Sequence, residues 1–126
     1  MYVRECMMPN PVTITSRETL AVAQALMKAG NFRRLPVVDE DVLVGILSEF
    51  DLRDRLDCLE RVSVRAAMTR DPVTVSPVDT LEHAVNVARK QEIGALPVVD
   101  HGRLVGIITV KDLWIAEPRP LPEWER

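Results

Sequence analysis

Laid over itself with an offset of 61 positions, the chain matches residues 3–52 to residues 64–113 without a gap, and 20 of those 50 positions are identical. Self-similarity at a fixed spacing marks a duplicated structural unit. The identities cluster in blocks. Pro11-Val12-Thr13 returns as Pro72-Val73-Thr74, Leu35-Pro36-Val37-Val38-Asp39 as Leu96-Pro97-Val98-Val99-Asp100, and Leu43-Val44-Gly45-Ile46 as Leu104-Val105-Gly106-Ile107, each copy then reaching an Asp-Leu pair. Any fold assigned to one copy must therefore serve the other.

Each copy carries the same succession of patterns. A short β-branched run at 12–15 or 73–75 precedes a helix-start signal, Ser16 with Glu18 and Thr19 in the first copy and Ser76, Pro77 and Asp79 in the second. Pro77 suits the first helical position, where a missing N–H costs nothing. Leu20, Ala23 and Met27, and then Leu81, Ala84, Val85 and Ala88, recur at helical spacing and predict one buried face. Two apolar runs separated by Glu40-Asp41 or His101-Gly102 have hairpin spacing. Their continuity predicts burial on both faces. A further helix is expected from Ser48 and from Thr109, with Leu52, Leu56 and Leu59 one or two turns apart.

The expected unit is thus β-α-β-β-α, present twice, an α/β (α+β) architecture. Three strands are marginal alone, so the copies are expected to pack about a pseudo-two-fold axis with a cleft between them. The boundaries implied are 2–60 for the first repeat and 61–116 for the second. An extended tail follows at 117–126, where three prolines and no apolar period stand outside the core.

Composition removes several function classes. With 47% hydrophobic and only 4% aromatic residues the core has to be aliphatic. No run approaches the length of a membrane span, and Met1 to Cys6 lacks the apolar stretch of a signal peptide, so a cytoplasmic location is expected. A net charge of -3 without a basic tract argues against general nucleic-acid binding. Cys6 and Cys58 have no metal or redox spacing, and His83 and His101 no partner pattern. No nucleophile triad, phosphate loop or dinucleotide fingerprint appears, which gives no basis for an enzyme.

The doubled apolar-Pro-Val-Val stretch followed by Gly-x-x-Ser/Thr-x-x-Asp resembles the tandem CBS-domain pair, or Bateman module. Here the pattern is Gly45 to Ser48 and Asp51, then Gly106 to Thr109 and Asp112. The likeness covers about residues 2–116. It implies a regulatory module for AMP, ADP, ATP, S-adenosylmethionine or another adenosyl ligand, lodged between the repeats. By the same resemblance Asp51 and Asp112 accept the ribose hydroxyls and Ser48 and Thr109 lie near phosphate. Thr13, Arg34, Leu35 and Pro36, and Thr74, Leu96 and Pro97, line the adenine pocket through backbone groups. Catalysis in such families resides in an additional domain, and the module pairs into a homodimer or docks on a separate enzyme or transporter.

A carboxylate accepting from both hydroxyls of a diol makes charge-assisted bonds of about 1.5 to 3 kcal/mol each, and a helix start supplies free N–H groups for phosphate. Ser48-x-x-Asp51 and Thr109-x-x-Asp112 read equally as capping boxes, in which the acid serves its own backbone. The copies also differ. Arg33-Arg34 becomes Gly94-Ala95, and Phe50 stands where many family members have a basic residue and the second copy has Lys111. Arg33 or Arg34 is then the candidate phosphate partner of one site and Lys111 of the other, with solvated surface charge as the alternative. Ligand binding and a ligand-free docking module both remain open at this point.

Overall fold

The computed structural model describes residues 1–109. The helix expected after Thr109, Lys111, Asp112 and the proline-rich tail lie outside them. Chain order runs α1 (Val3–Cys6), β1 (Met8–Pro9), α2 (Leu20–Gly30), β2 (Arg34–Asp39), β3 (Val42–Ser48), a 3-10 helix (Glu49–Arg55), α3 (Val64–Ala67), β4 (Thr69–Arg70), α4 (Leu81–Gln91), β5 (Ala95–Asp100) and β6 (Arg103–Thr109). These elements gather into two compact units, residues 12–72 and, among the described residues, 1–11 together with 73–109. The packing frame is therefore offset from the repeat frame, because the leading segment 1–11 packs with the second repeat.

The long helices begin later than their first polar residues suggest. Thr19 and Thr80, not Ser16 and Ser76, are the N-caps, with Thr19 Oγ1 accepting from Val22 N at 3.3 Å and Thr80 Oγ1 from His83 N at 3.1 Å. The residues ahead of Thr19 are held in a turn because Ser16 O and Glu18 O accept from Arg65 N and Val64 N at 2.9 and 2.8 Å. Pro77 likewise lies ahead of its helix and offers its carbonyl to Arg4 N at 3.0 Å. From Leu20 and from Leu81 the expected faces are buried: Leu20, Ala23 and Met27 in α2, and Leu81, Ala84, Val85 and Ala88 in α4.

In residues 12–72 those α2 side chains pack on Ile14, Leu35, Val37, Leu47, Leu52, Leu59 and Val64. In the other unit α4 packs on Val3, Val75, Leu96, Val98 and Ile108. Both cores are aliphatic. Each rests on a three-stranded sheet, in the order β2-β3-β4 and β1-β6-β5, with every pairing antiparallel. The β-branched run expected to open each copy as a strand shrinks to one parallel bridge, Ile14 to Val37 and Val75 to Val98. The third strand comes instead from two residues that periodicity cannot register, β4 or β1.

That short strand explains a glycine. Gly45 pairs with Arg70 and Gly106 with Pro9. A Cβ on Gly45 would stand 2.8 Å from Thr69 O and 2.6 Å from Met68 Sδ, and one on Gly106 2.9 Å from Met8 O and 2.5 Å from Met7 Sδ. The carbonyl cannot move without breaking the strand pair, so only glycine fits. One residue earlier the sheet bulges. Val37 pairs with Gly45 but Val38 with Leu43, leaving Val44 unpaired, and Val44 O is free to accept from Asp71 N at 3.4 Å.

The second helix of the first repeat is the 3-10 helix. Leu52 is buried on it as expected, but the helix ends at Arg55, short of the other two leucines: Leu56 follows as its C-cap and is 62% exposed, and buried Leu59 lies in the turn beyond. The hairpin turns are the expected two-residue loops. Glu40 and Asp41 both have positive φ, 48° and 66°, as do His101 and Gly102, 50° and 81°, the pattern of a type I′ turn.

Two outcomes follow. Gly45→Ala and Gly106→Ala each lower the unfolding free energy by about 1 to 3 kcal/mol, seen as an earlier urea midpoint with unchanged slope; wild-type midpoints would show that the short strands do not press on these glycines. Asp41→Gly, which removes a side chain from a left-handed position and restores what Gly102 already provides, raises stability by about 1 kcal/mol, measured as a higher Tm.

Candidate functional site

The residues singled out at 13, 33–36, 48 and 51 all fall in the unit 12–72, and the fold brings them to one end of its hairpin. Ile14 N donates to Pro36 O at 3.1 Å and Ile14 O accepts from Val38 N at 2.9 Å, which sets exposed Thr13 beside buried Leu35 and Pro36. Arg34 pairs with Ser48 across β2 and β3. Arg33 O then accepts from Glu49 N at 2.8 Å, fixing the start of the 3-10 helix against the start of β2. Backbone bonds alone thus gather residues 38 positions apart.

The equivalent end of the other unit repeats this geometry. Val75 N donates to Pro97 O at 3.1 Å and Val99 N to Val75 O at 2.9 Å, placing Thr74 beside buried Leu96 and Pro97. Ala95 pairs with Thr109. Lys111 and Asp112 lie outside the described residues.

Asp51 is half-buried and already employed. Its Oδ2 accepts from Ser48 N at 2.8 Å and from Ser48 Oγ at 3.2 Å, and its carbonyl accepts from Arg55 Nη1 at 3.1 Å. The capping role weighed in the sequence is therefore real. It uses one carboxylate oxygen. Oδ1 makes no hydrogen bond among the described residues and can accept from an incoming hydroxyl. Arg33, a phosphate candidate, has Nε 3.7 Å from Glu49 Oε1 on the surface. Phe50 is 68% exposed, and the Arg53 guanidinium lies 4.9 Å from its ring centroid, so a cation stands close to the position where the motif itself offers none.

One polar contact near the hairpin escaped the sequence reading. Buried Ser16 donates from its main-chain N to Asp39 Oδ1 at 2.9 Å and from Oγ to Asp39 Oδ2 at 2.5 Å. The hydroxyl bond, then the backbone bond, hold the Asp39 carboxyl below its ordinary range against a smaller opposing effect of burial, with Arg17 and Arg65 adding to the depression. The aligned residue in the second copy is Pro77, which has neither donor, and Asp100 there meets exposed His101 instead, 2.9 Å from its Nδ1. A contact between residues 23 apart leaves no local signature. Only the repeated Asp after Val-Val hinted at it.

Among the described residues no group of three His, Cys, Asp or Glu side chains is placed to hold a metal, and no helix is long and apolar enough to cross a membrane.

Two α/β units of this kind, each with a Pro-bearing strand paired in an antiparallel hairpin and a long helix capped by threonine, define a duplicated α/β module. The family model of the CBS domain matches residues 3–57 and again 64–113. The chain belongs to the CBS domain family and carries two copies. It is 36% identical over 128 residues to a CBS domain-containing protein of Dictyostelium discoideum, covering 90% of this chain and 88% of that one. It is 40% identical over 118 residues to inosine-5'-monophosphate dehydrogenase of Mycobacterium tuberculosis, covering 91% of this chain but 22% of the enzyme. The chain thus spans about a fifth of that relative's length.

Among solved structures it resembles the CBS domain pair of protein MJ0100 in complex with 5-methylthioadenosine and S-adenosyl-L-methionine, with TM-score 0.84, 29% identity and coverage of 92% and 94%. CBSX2 in complex with AMP gives TM-score 0.80, 28% identity and coverage of 91% and 94%. The CBS domain of a bacterial CNNM/CorC family Mg2+ transporter in complex with ATP gives 0.81, 28% and coverage of 90% and 84%.

The Ser16 contact yields a pH-dependent outcome. Because the folded pKa of Asp39 is depressed, its stabilisation is full above the unfolded value and is lost as pH falls through the folded one. Ser16→Ala therefore costs about 1 kcal/mol at neutral pH, a value kept low for a surface-adjacent carboxylate, and the gap to wild type closes in acid, as pH falls from neutral through the depressed folded value of Asp39. Denaturant midpoints of both proteins across that range test it; an unchanged gap at low pH would assign the cost to packing alone.

Proposed function

We propose that this chain is a regulatory module that binds an adenine nucleotide or another adenosyl ligand and has no catalytic chemistry of its own. The observation that carries the reading is the convergence of Thr13, Arg34, Pro36, Ser48 and Asp51 on one hairpin end, repeated for Thr74, Pro97 and Thr109. Structures of the same fold that hold S-adenosylmethionine, 5-methylthioadenosine, AMP and ATP lend support. In this reading Asp51 Oδ1 accepts a ribose hydroxyl while Oδ2 keeps its cap, and Asp112 is the ribose acceptor of the second repeat. Arg33, Arg34 and Lys111 are the phosphate partners. Thr13, Leu35 and Pro36, and Thr74, Leu96 and Pro97, line the base pocket through their backbone groups. The repeats, at about 2–60 and 61–116, act as a homodimer in the cytoplasm, the bound ligand altering how the module meets a separate protein target.

A second reading has an observation of its own. The capping bonds already made by Asp51, together with an apolar Phe50 beside it, suit a module that docks or dimerises without a ligand in the first repeat.

A thermal-shift panel with AMP, ADP, ATP and S-adenosylmethionine separates the two. At 100 times its dissociation constant a true ligand adds about 2.7 kcal/mol to folding stability. Asp51→Asn preserves an acceptor for the cap but weakens the diol contact, and Asp112→Asn weakens the diol contact proposed for the second repeat. Loss of the shift in either variant supports the ribose assignment, and loss in one alone identifies a single working site. A shift kept in both refutes the assignment, and no shift with any of the four compounds favours the docking module.

A further inference from the structure

The segment 12–16 that opens the first repeat is joined to β2 by two main-chain bonds, Ile14 N to Pro36 O at 3.1 Å and Val38 N to Ile14 O at 2.9 Å. Main-chain groups are alike at every residue, so these bonds do not by themselves choose which residue stands opposite Val37. Side chains two apart share a face of an extended segment. Val12, 42% exposed, therefore follows buried Ile14 on one face, and a slip of two positions would exchange one apolar β-branched side chain for another. It would also carry Thr13 away from Leu35 and Pro36 and bring Pro11 in its place.

Ser16 forbids that exchange. It is buried, and its N and Oγ donate to the two oxygens of the half-buried Asp39 carboxylate at 2.9 and 2.5 Å. Slipped by two, the segment would set Ile14 where the hydroxyl now stands and leave a carboxylate oxygen without its donor, a loss that burial makes costly. Arg17 and Arg65 favour the ionised acceptor. The remaining bond of the segment, Arg65 N to Ser16 O at 2.9 Å, is again main-chain. The hydroxyl contact is thus the one in which residue type decides register. The second repeat reaches the same register by other means. Aligned Pro77 has no N–H and a fixed φ, Asp79 Oδ2 accepts from Ser76 N at 2.8 Å, and Val75 makes the matching pair of bonds with Pro97 and Val99.

We propose that Ser16 and Asp39 are positioning residues for the ligand pocket of the first repeat: by locking segment 12–16 in one register they hold Thr13 beside Leu35 and Pro36, and they do so in this repeat alone. This role rests on the reading of the hairpin end as an adenosyl-ligand site and gives the two repeats a reason to bind unequally. Asp39 lies at the turn end of β2, and Ser16 three residues beyond Thr13. Their effect on binding passes through the backbone of the segment and not through contact with the ligand.

Amide hydrogen exchange of the ligand-free full chain reads the register, at Ile14 and Val38 against Met27 in α2 of the same unit and Val75 and Val99 in the other. In Ser16→Ala the expected result is exchange at Ile14 and Val38 about ten-fold faster than any change at the three reference amides explains, restored by Ser16→Thr, which keeps both donors. Titration of the same proteins with AMP, ADP, ATP and S-adenosylmethionine, followed at the Thr13 and Thr74 amides in 1H–15N spectra, reads binding. Ser16→Ala weakens binding at Thr13 about ten-fold and leaves the response at Thr74 unchanged, and Ser16→Thr recovers the wild-type affinity; a loss of overall stability that leaves the protein folded moves neither. Exchange at Ile14 and Val38 that only follows the reference amides overturns the lock. Faster exchange with unchanged binding at Thr13 confines the pair to folding and overturns its positioning role. No response at Thr13 to any of the four compounds in the wild type refutes the adenosyl reading of this repeat and the positioning role with it, while the exchange result still tells that failure apart from failure of the lock.

Discussion

Two helix starts that satisfy each other hold each unit together. Val64 N and Arg65 N, at the beginning of α3, donate to the carbonyls of Glu18 and Ser16, while Leu20 N and Ala21 N, at the beginning of α2, donate to Val62 O and Leu59 O. The same exchange joins α1 to the turn before α4, with Val3 N on Asp79 O, Arg4 N on Pro77 O and Leu81 N returning to Met1 O. The first N–H groups of any helix lack internal partners and cost free energy if buried unmet. Here the orphan donors of a four-residue helix and an eleven-residue helix are met from each other's approach segments. The short helix then has its side chains Val3 or Val64 fully buried, and the short strand behind it lands on Gly106 or Gly45.

This arrangement governs what could be read from residues alone. The buried faces of α2 and α4 and the two-residue turns were legible because side-chain period and local φ preference encode them. So was the Ser48-Asp51 pair, a spacing that caps any helix start. The caps at Thr19 and Thr80, the single-bridge first strands and the two-residue strands β1 and β4 were not. Main-chain bonds to distant residues fix them, and main-chain groups are the same whatever the sequence. The short 3-10 helix Glu49–Arg55 was hidden for a related reason, since Leu52, Leu56 and Leu59 have the spacing of a longer α-helix, which the chain does not form.

The two copies have diverged in how they secure common geometry. The first fixes the approach to α2 with a buried serine on a depressed carboxylate, where the second has a proline that needs no donor. The second turns its hairpin on a glycine, where the first forces two acidic residues into left-handed backbone. Equal folds therefore rest on unequal chemistry, and a response to acidity, or to a ligand at the hairpin end, has reason to differ between them.

Because the leading segment 1–11 closes the unit that contains the second repeat, the portable piece of this molecule is not the repeat that the gene doubled. A half cut at the internal boundary near residue 61 would carry α3 and the residue after it at its front, Val64-Arg65-Ala66-Ala67-Met68, in place of Val3-Arg4-Glu5-Cys6-Met7. The two stretches share the buried valine and the methionine that meets the glycine, so one can stand in for the other. Each repeat thus carries ahead of it the edge of the other repeat's sheet, Thr69–Arg70 for the hairpin of residues 34–48 and Met8–Pro9 for that of residues 95–109.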